Sequence, residues 1–162
     1  MKNSDIIEKV TARFSASLTS VEEPYGMLTF TVETSQAIPL VGFLRDELGF
    51  RFLTDLCGIH YPDTSLPLGV IYHMHNMEEN TRVRIKTFVP LENPVLPTAT
   101  NLFPAANWME RETFDFYGIL FEGHPNLKRI LNVDYLDYHP MRKEYPLEDP
   151  TRHDKDDRFF GR

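Results

Sequence analysis

Apolar side chains along the first half of the chain recur with two periods, that of a helix and that of a strand. Ile6 or Ile7, Val10 and Phe14 recur at helical spacing behind Ser4 and Asp5, either of which can cap, and predict an amphipathic N-terminal helix. Met27, Leu28, Phe30 and Val32 run through an alternating stretch ending at Glu33. The turn signal Glu23-Pro24-Tyr25-Gly26 precedes it, and together they predict a β-hairpin. Leu40, Val41, Phe43, Leu44 and Leu48 make the apolar stripe of a second helix, with Pro39 tolerated in its first turn and Gly49 ending it. Phe50 to Tyr61 returns as a strand. Val70, Tyr72 and Met74 then alternate with Ile71, His73 and His75, and Val83, Ile85 and Thr87 alternate with Arg82, Arg84 and Lys86, across a turn from Met77 to Asn80. The face carrying Arg82, Arg84 and Lys86 is exposed or meets an acidic partner. These elements predict an α+β fold, a single domain over residues 1–133 whose mixed or antiparallel sheet is packed by helices on one side. An extended C-terminal tail over 134–162 follows it.

The densest stretch of charge and aromatic side chains runs from Trp108 to Leu147. Asn107 is a good N-cap residue and Glu110 stands three positions later, so a helix is expected over Trp108 to Tyr117, with Trp108 in its first turn and Gly118 at its end. Glu110, Glu112 and Asp115 crowd its N-terminal half and suit the helix dipole on a solvated face. Arg111 sits between the glutamates, and Phe114, Phe116 and Tyr117 leave little free surface, so the helix buries more than one side. Ile119-Leu120-Phe121 reads as a short strand and Gly123-His124-Pro125-Asn126 as a turn, its histidine orienting the turn through a backbone hydrogen bond. Lys128 and Arg129 lead into Ile130 and Leu131.

In the tail about half the residues are charged, aliphatics are scarce, and Pro140, Pro146 and Pro150 interrupt regular structure. Such a segment buries too little apolar surface to offset its own ordering entropy. Yet Tyr135, Tyr138, Tyr145, Phe159 and Phe160 are spaced along it, and Arg142, Lys143, Arg152 and Arg158 alternate with acids. Aromatic and arginine anchors in an extended segment suit a wrapping interface.

Composition narrows the chemistry. The 162 residues amount to one domain with a real core, 41% of them hydrophobic, and no stretch approaches the roughly 20 apolar residues of a membrane-spanning helix. The opening MKNSDIIEKVTARF lacks the basic and apolar regions of a secretory signal, so a cytoplasmic chain beginning here is expected. A formal charge of -7 disfavours nucleic acid as a partner. The single cysteine, Cys57, cannot by itself hold an iron-sulfur cluster and has no base dictated by sequence. There is neither a Gly-x-Ser-x-Gly nor a glycine-rich phosphate loop. His73 and His75 project from one strand face and can share a metal with His60 or Cys57, although no accompanying ligand motif supports this. No catalytic, cofactor-binding or metal residue is therefore assigned.

The strings ERETFDFYG at 110–118, GHPNLKRIL at 123–131 and PMRKEYPL at 140–147 resemble the C subunit of respiratory complex I, the proton-translocating NADH:quinone oxidoreductase. The mitochondrial counterpart is the thirty-kilodalton subunit of the peripheral arm. The resemblance covers most of the chain and is strongest over Ala105 to Leu147, with fainter agreement in FLTDLCGIHYP at 52–62 and in the strand pair from Leu68 to Val89. Met141 replaces the usual Leu and Glu144 the usual Asp of a PLRKD element, and His60 stands where an Asp is often found. The resemblance implies a structural, non-catalytic subunit on the cytoplasmic face of the bacterial inner membrane, peripheral and held there through the complex. It further implies docking on the hydrogenase-like large quinone-site subunit and neighbouring iron-sulfur subunits, with FMN, iron-sulfur clusters and quinone bound elsewhere in the complex. The interface candidates are Trp108, Glu110, Arg111, Glu112, Asp115, Phe116, Tyr117, His124, Arg129, Arg142, Lys143, Tyr145, Arg152, Arg158, Phe159 and Phe160. Two alternatives stand beside this reading. One is the homologous subunit of a related membrane-bound hydrogenase or ferredoxin-fed complex, and the other a free-standing metalloenzyme using His73 and His75.

Overall fold

The expected N-terminal helix is α1, Asn3–Phe14, with Ile6, Val10 and Phe14 on its buried face. The structure is a computed structural model describing residues 2–146. Asp5 closes the start of α1 from inside its first turn, its carboxylate accepting the Lys2 N–H at 3.3 Å. Strands β1 (Leu18–Glu22) and β2 (Leu28–Val32) form the expected hairpin, and its turn holds Tyr25 and Gly26 at φ of 56° and 76°. Helix α2 runs from Thr34 to Leu48 and stops at Gly49, whose φ of 75° few other residues tolerate. It begins earlier than its apolar stripe suggests, so Pro39 lies in the helix interior rather than the first turn, where its ring nitrogen donates no hydrogen bond. Strands β3 (Phe52–His60), β4 (Leu68–Asn76) and β5 (Thr81–Val89) complete a five-stranded sheet ordered β1-β2-β5-β4-β3. The β2–β5 pair is parallel and the others antiparallel, which makes the sheet mixed.

Register explains which face is apolar. Phe30, Ile85, Tyr72 and Leu56 stand side by side across four strands, and Leu28, Val83, Met74 and Leu53 make a second such row. All eight are buried, and against them lie Leu40, Val41 and Leu44 of α2 and Ile6 and Val10 of α1. Each such side chain removed from water contributes about 1.5–3 kcal/mol. On the opposite face the row reads Thr29, Arg84, His73 and Asp55, polar throughout.

After β5 the chain adds a short parallel pair, β6 (Val95–Pro97) with β7 (Leu120–Glu122), flanking helix α3 (Ala106–Tyr117). Two details differ from expectation. Ala105 precedes α3 without any side-chain cap, and Asn107 lies within the first turn. The strand is shifted by one residue, with Ile119 buried ahead of it. Gly118 ends α3 at φ 73° as expected. Among the described residues no helix is long and apolar enough to cross a membrane.

Candidate partner-docking surface

Asp115 organises the end of α3. It occupies the last turn, not the N-terminal half, so the helix dipole opposes its charge rather than favouring it. Five donors compensate. The N–H groups of Ile130, Leu131 and Asn132 converge on Oδ2 at 3.1, 2.8 and 2.8 Å, while the Asn132 amide and the Arg129 guanidinium reach Oδ1 at 3.0 and 2.8 Å. Burial alone would push this carboxyl up. The Asn132 N–H, the Arg129 guanidinium, the Leu131 N–H and the Asn132 amide together hold it well below the usual carboxylate range. The charge is thus fully enclosed and fully paired, and it clamps residues 129–132 against the helix.

Gly118, Arg129 and the segment from 134 to 146 then satisfy the carbonyls at the helix end. Phe114 O accepts the Gly118 N–H at 2.8 Å. Asp115 O accepts from Arg129 Nη1 and His139 Nδ1, both at 3.0 Å. Phe116 O accepts the Met141 N–H at 3.1 Å and Tyr117 O accepts Arg142 Nε at 2.7 Å. Two guanidinium groups sit at the negative end of the dipole, where cations are favoured. Arg129 Nη2 also binds the carbonyls of Leu136 and Tyr138. The ring of His60, buried at the end of β3, accepts the Lys143 N–H at Nδ1 over 2.9 Å, and Glu144 lies 3.5 Å from the same atom. The start of the tail runs through successive turns rather than the extended path expected of it, and it is bound onto α3 and β3.

The remaining candidates divide by direction. Glu110 is wholly buried and faces away from solvent, accepting from Thr98 Oγ1 at 2.5 Å and the Ala99 N–H at 2.6 Å. Burial pushes its carboxyl up to about 7, partly offset by these two bonds. It therefore holds the loop before α3 and does not cap the helix. Arg111 also turns inward, donating to the carbonyls of Lys128 and Arg129. Trp108, expected with Phe116 and Tyr117 to fix the helix in place, stays outside the packing, 62% exposed with the Arg111 guanidinium 5.4 Å from its ring. Tyr117 does lock it, because its ring lies so close over Gly58 of β3 that a Cβ there would run into it. His124 orients its turn as expected, with Nδ1 accepting the Asn126 N–H and Nε2 donating to Asn107 O.

Facing outward are Trp108, Glu112, Leu131, Tyr135, Tyr138, Lys143 and Tyr145, with Tyr135 87% exposed. Phe116 is half-buried. Tyr138 and Tyr145 pack on each other with ring centres 4.8 Å apart. Arg152, Arg158, Phe159 and Phe160 lie outside the described residues. Local pattern does not point to His60, His139, Asn132 or Thr98 as partners of α3 and the tail. The contact that would reveal His60 spans 83 positions and leaves no local signal.

The two strand histidines share a face but not a site. His73 Nε2 accepts from Arg84 Nε at 2.9 Å and Nδ1 lies 3.4 Å from Asp55, while His75 Nε2 meets Asn80 at 3.2 Å. Burial and then Arg84 push the His73 ring down from its ordinary value. Among the described residues no three His, Cys, Asp or Glu side chains gather as a metal site.

The family model described as respiratory-chain NADH dehydrogenase, 30 Kd subunit, matches residues 30–151. The NADH-quinone oxidoreductase C subunit of Methylorubrum populi is 40% identical over 154 residues, covering 93% of this chain and 70% of that protein. The C 1 subunit of the same enzyme from Rhizobium etli is 45% identical over 124 residues, 75% of this chain and 62% of that one. The solved trypsin-resistant fragment (1-134) of Nqo5 matches with a TM-score of 0.69 and 30% identity, over 78% of this chain and 100% of the fragment. A chain of the membrane-bound sulfane sulfur reductase, an archaeal respiratory membrane complex, shares the fold with a TM-score of 0.75 at 22% identity, over 91% of this chain and 87% of that one.

Proposed function

The chain belongs to the respiratory-chain NADH dehydrogenase 30 Kd subunit family, and from that membership we propose that it is a structural, non-catalytic subunit of the peripheral arm of an NADH:quinone oxidoreductase. It docks on the hydrogenase-like quinone-site subunit and touches the neighbouring iron-sulfur subunits. FMN, the clusters and quinone are held by those partners, and the chain meets the cytoplasmic face of the membrane only through them. By fixing their relative positions it keeps electron-transfer distances and the quinone cavity in working geometry.

One observation carries this reading: the end of α3, residues 129–132 and residues 134–146 are bonded into one piece that presents large apolar side chains to solvent. Leu131, Tyr135, Tyr138 and Tyr145 are exposed on it, although the chain buries an ample core elsewhere. Rigid aromatic groups on an ordered platform suit the core of an interface, because little conformational entropy remains to be lost on docking.

Co-purification from native membranes under mild detergent tests this. The full chain is expected to travel with the quinone-site and iron-sulfur subunits. A chain ending at residue 133, which lacks Tyr135, Tyr138 and Tyr145, is expected to keep its circular dichroism spectrum yet lose most of that association. Undiminished assembly and quinone reductase activity of the shortened chain would count against a wrapping tail, and recovery of the full chain without partners would overturn the subunit reading itself.

A further inference from the structure

A cleft of about 370 Å³ opens between β3 and α3, lined by Asp55, Cys57, Glu112, Phe116, Tyr117 and Met141. Its walls are largely apolar and its acids are short of cationic partners among the described residues. Glu112 is exposed and has no hydrogen bond or ion pair among the described residues. Among the described residues the half-exposed Asp55 carboxylate meets no basic group but the His73 ring at 3.4 Å, while the Arg84 guanidinium is turned onto that same histidine. Like charges flanking an apolar cleft disfavour each other and favour a cation between them. Cys57 adds no ligand, since burial and then Asp55 push its thiol up to about 12 and keep it protonated.

Apolar walls with an acid on either side favour an occupant that has an apolar length and a cationic end. Long basic side chains have the matching shape, with an aliphatic stem that packs on apolar walls and a charged head that stays at the mouth.

We propose that the cleft receives one lysine or arginine side chain from a neighbouring subunit, its head between Asp55 and Glu112 and its stem along Phe116, Tyr117 and Met141. The inference rests on the subunit reading above and adds a place and a charge to it. In the assembled complex this pair is desolvated by the surrounding interface, so loss of one partner is felt mainly as faster dissociation.

Two measurements on the assembled complex test it. Retention of the chain is followed against salt for Glu112→Asp, Glu112→Gln, Glu112→Lys and Asp55→Asn, with circular dichroism confirming that each isolated chain folds. Glu112→Asp is expected to hold nearly as well as the natural residue, Glu112→Gln to dissociate roughly tenfold faster, and Glu112→Lys faster still. In the unmodified complex, Met141 is expected to be protected from peroxide oxidation relative to the free chain, with Met77, on the far β4–β5 turn, as reference. Unchanged salt dependence in all four variants, or equal oxidation of Met141 free and assembled, overturns the cleft proposal while leaving the subunit reading intact. If the natural chain assembles with no partner at all, both fall together.

Discussion

Asp115 and Glu110 are both fully buried carboxylates on one helix, yet their surroundings drive them in opposite directions. Asp115 is ringed by donors and titrates below its unfolded value of 3.8, so its contribution to stability is complete above that value and drains away as pH falls toward the folded one. Removing it strands Arg129 and three backbone N–H groups, and Asp115→Ala is expected to cost about 3–5 kcal/mol in denaturant unfolding. Glu110 is raised from 4.5 to about 7, so the folded state binds its proton more tightly and stability declines as pH rises through that interval. Glu110→Gln keeps one acceptor for Ala99 and gains a donor toward Thr98. It is expected to flatten this decline and to be more stable than the natural chain at pH 8 by roughly 1–3 kcal/mol, read as a rise in the unfolding midpoint.

At the scale of elements, α3 is held by shape as much as by charge. Gly58→Ala places a methyl where the Tyr117 ring already lies, and a loss of about 1–3 kcal/mol is expected in thermal unfolding. Gly42→Ala, in α2 with no neighbour closer than 3.7 Å to the added carbon, is the contrasting case and is expected to be neutral or slightly stabilising. Strands β4 and β5 are legible from the chain because strict alternation meets a sheet with one apolar face. The ends of α2 and α3 are legible because glycine takes a positive φ readily. Helix starts are less so. Asn107 suits a cap by residue type, but the chain already turns helical one residue earlier, at Ala106. Ala106, Glu110, Thr113 and Tyr117 recur four, three and four positions apart on the inward stripe. That spacing marks Glu110 as inward-facing, and its charge masks the signal.

Across the whole molecule, what local pattern misses is what distant segments do to one another. The parallel β2–β5 pairing joins Phe30 to Ile85, and the His60–Lys143 bond joins the sheet to the tail; no local periodicity encodes either. A chain ending at 133 keeps the Asp115 clamp but loses the donors of His139, Met141 and Arg142. It is expected to unfold about 2–4 kcal/mol more easily than one ending at Pro146, at ~0.5–1.5 kcal/mol for each bond lost. The same closure also sets an order in time. His139 and Arg142 follow their acceptors in α3 by 24 and 25 residues, an interval on the order of 1–5 s at ~5–20 residues per second of synthesis. During that interval a nascent chain carries α3 with an open end and no aromatic platform beside it, so docking through that platform, as proposed above, waits until translation has passed Tyr145.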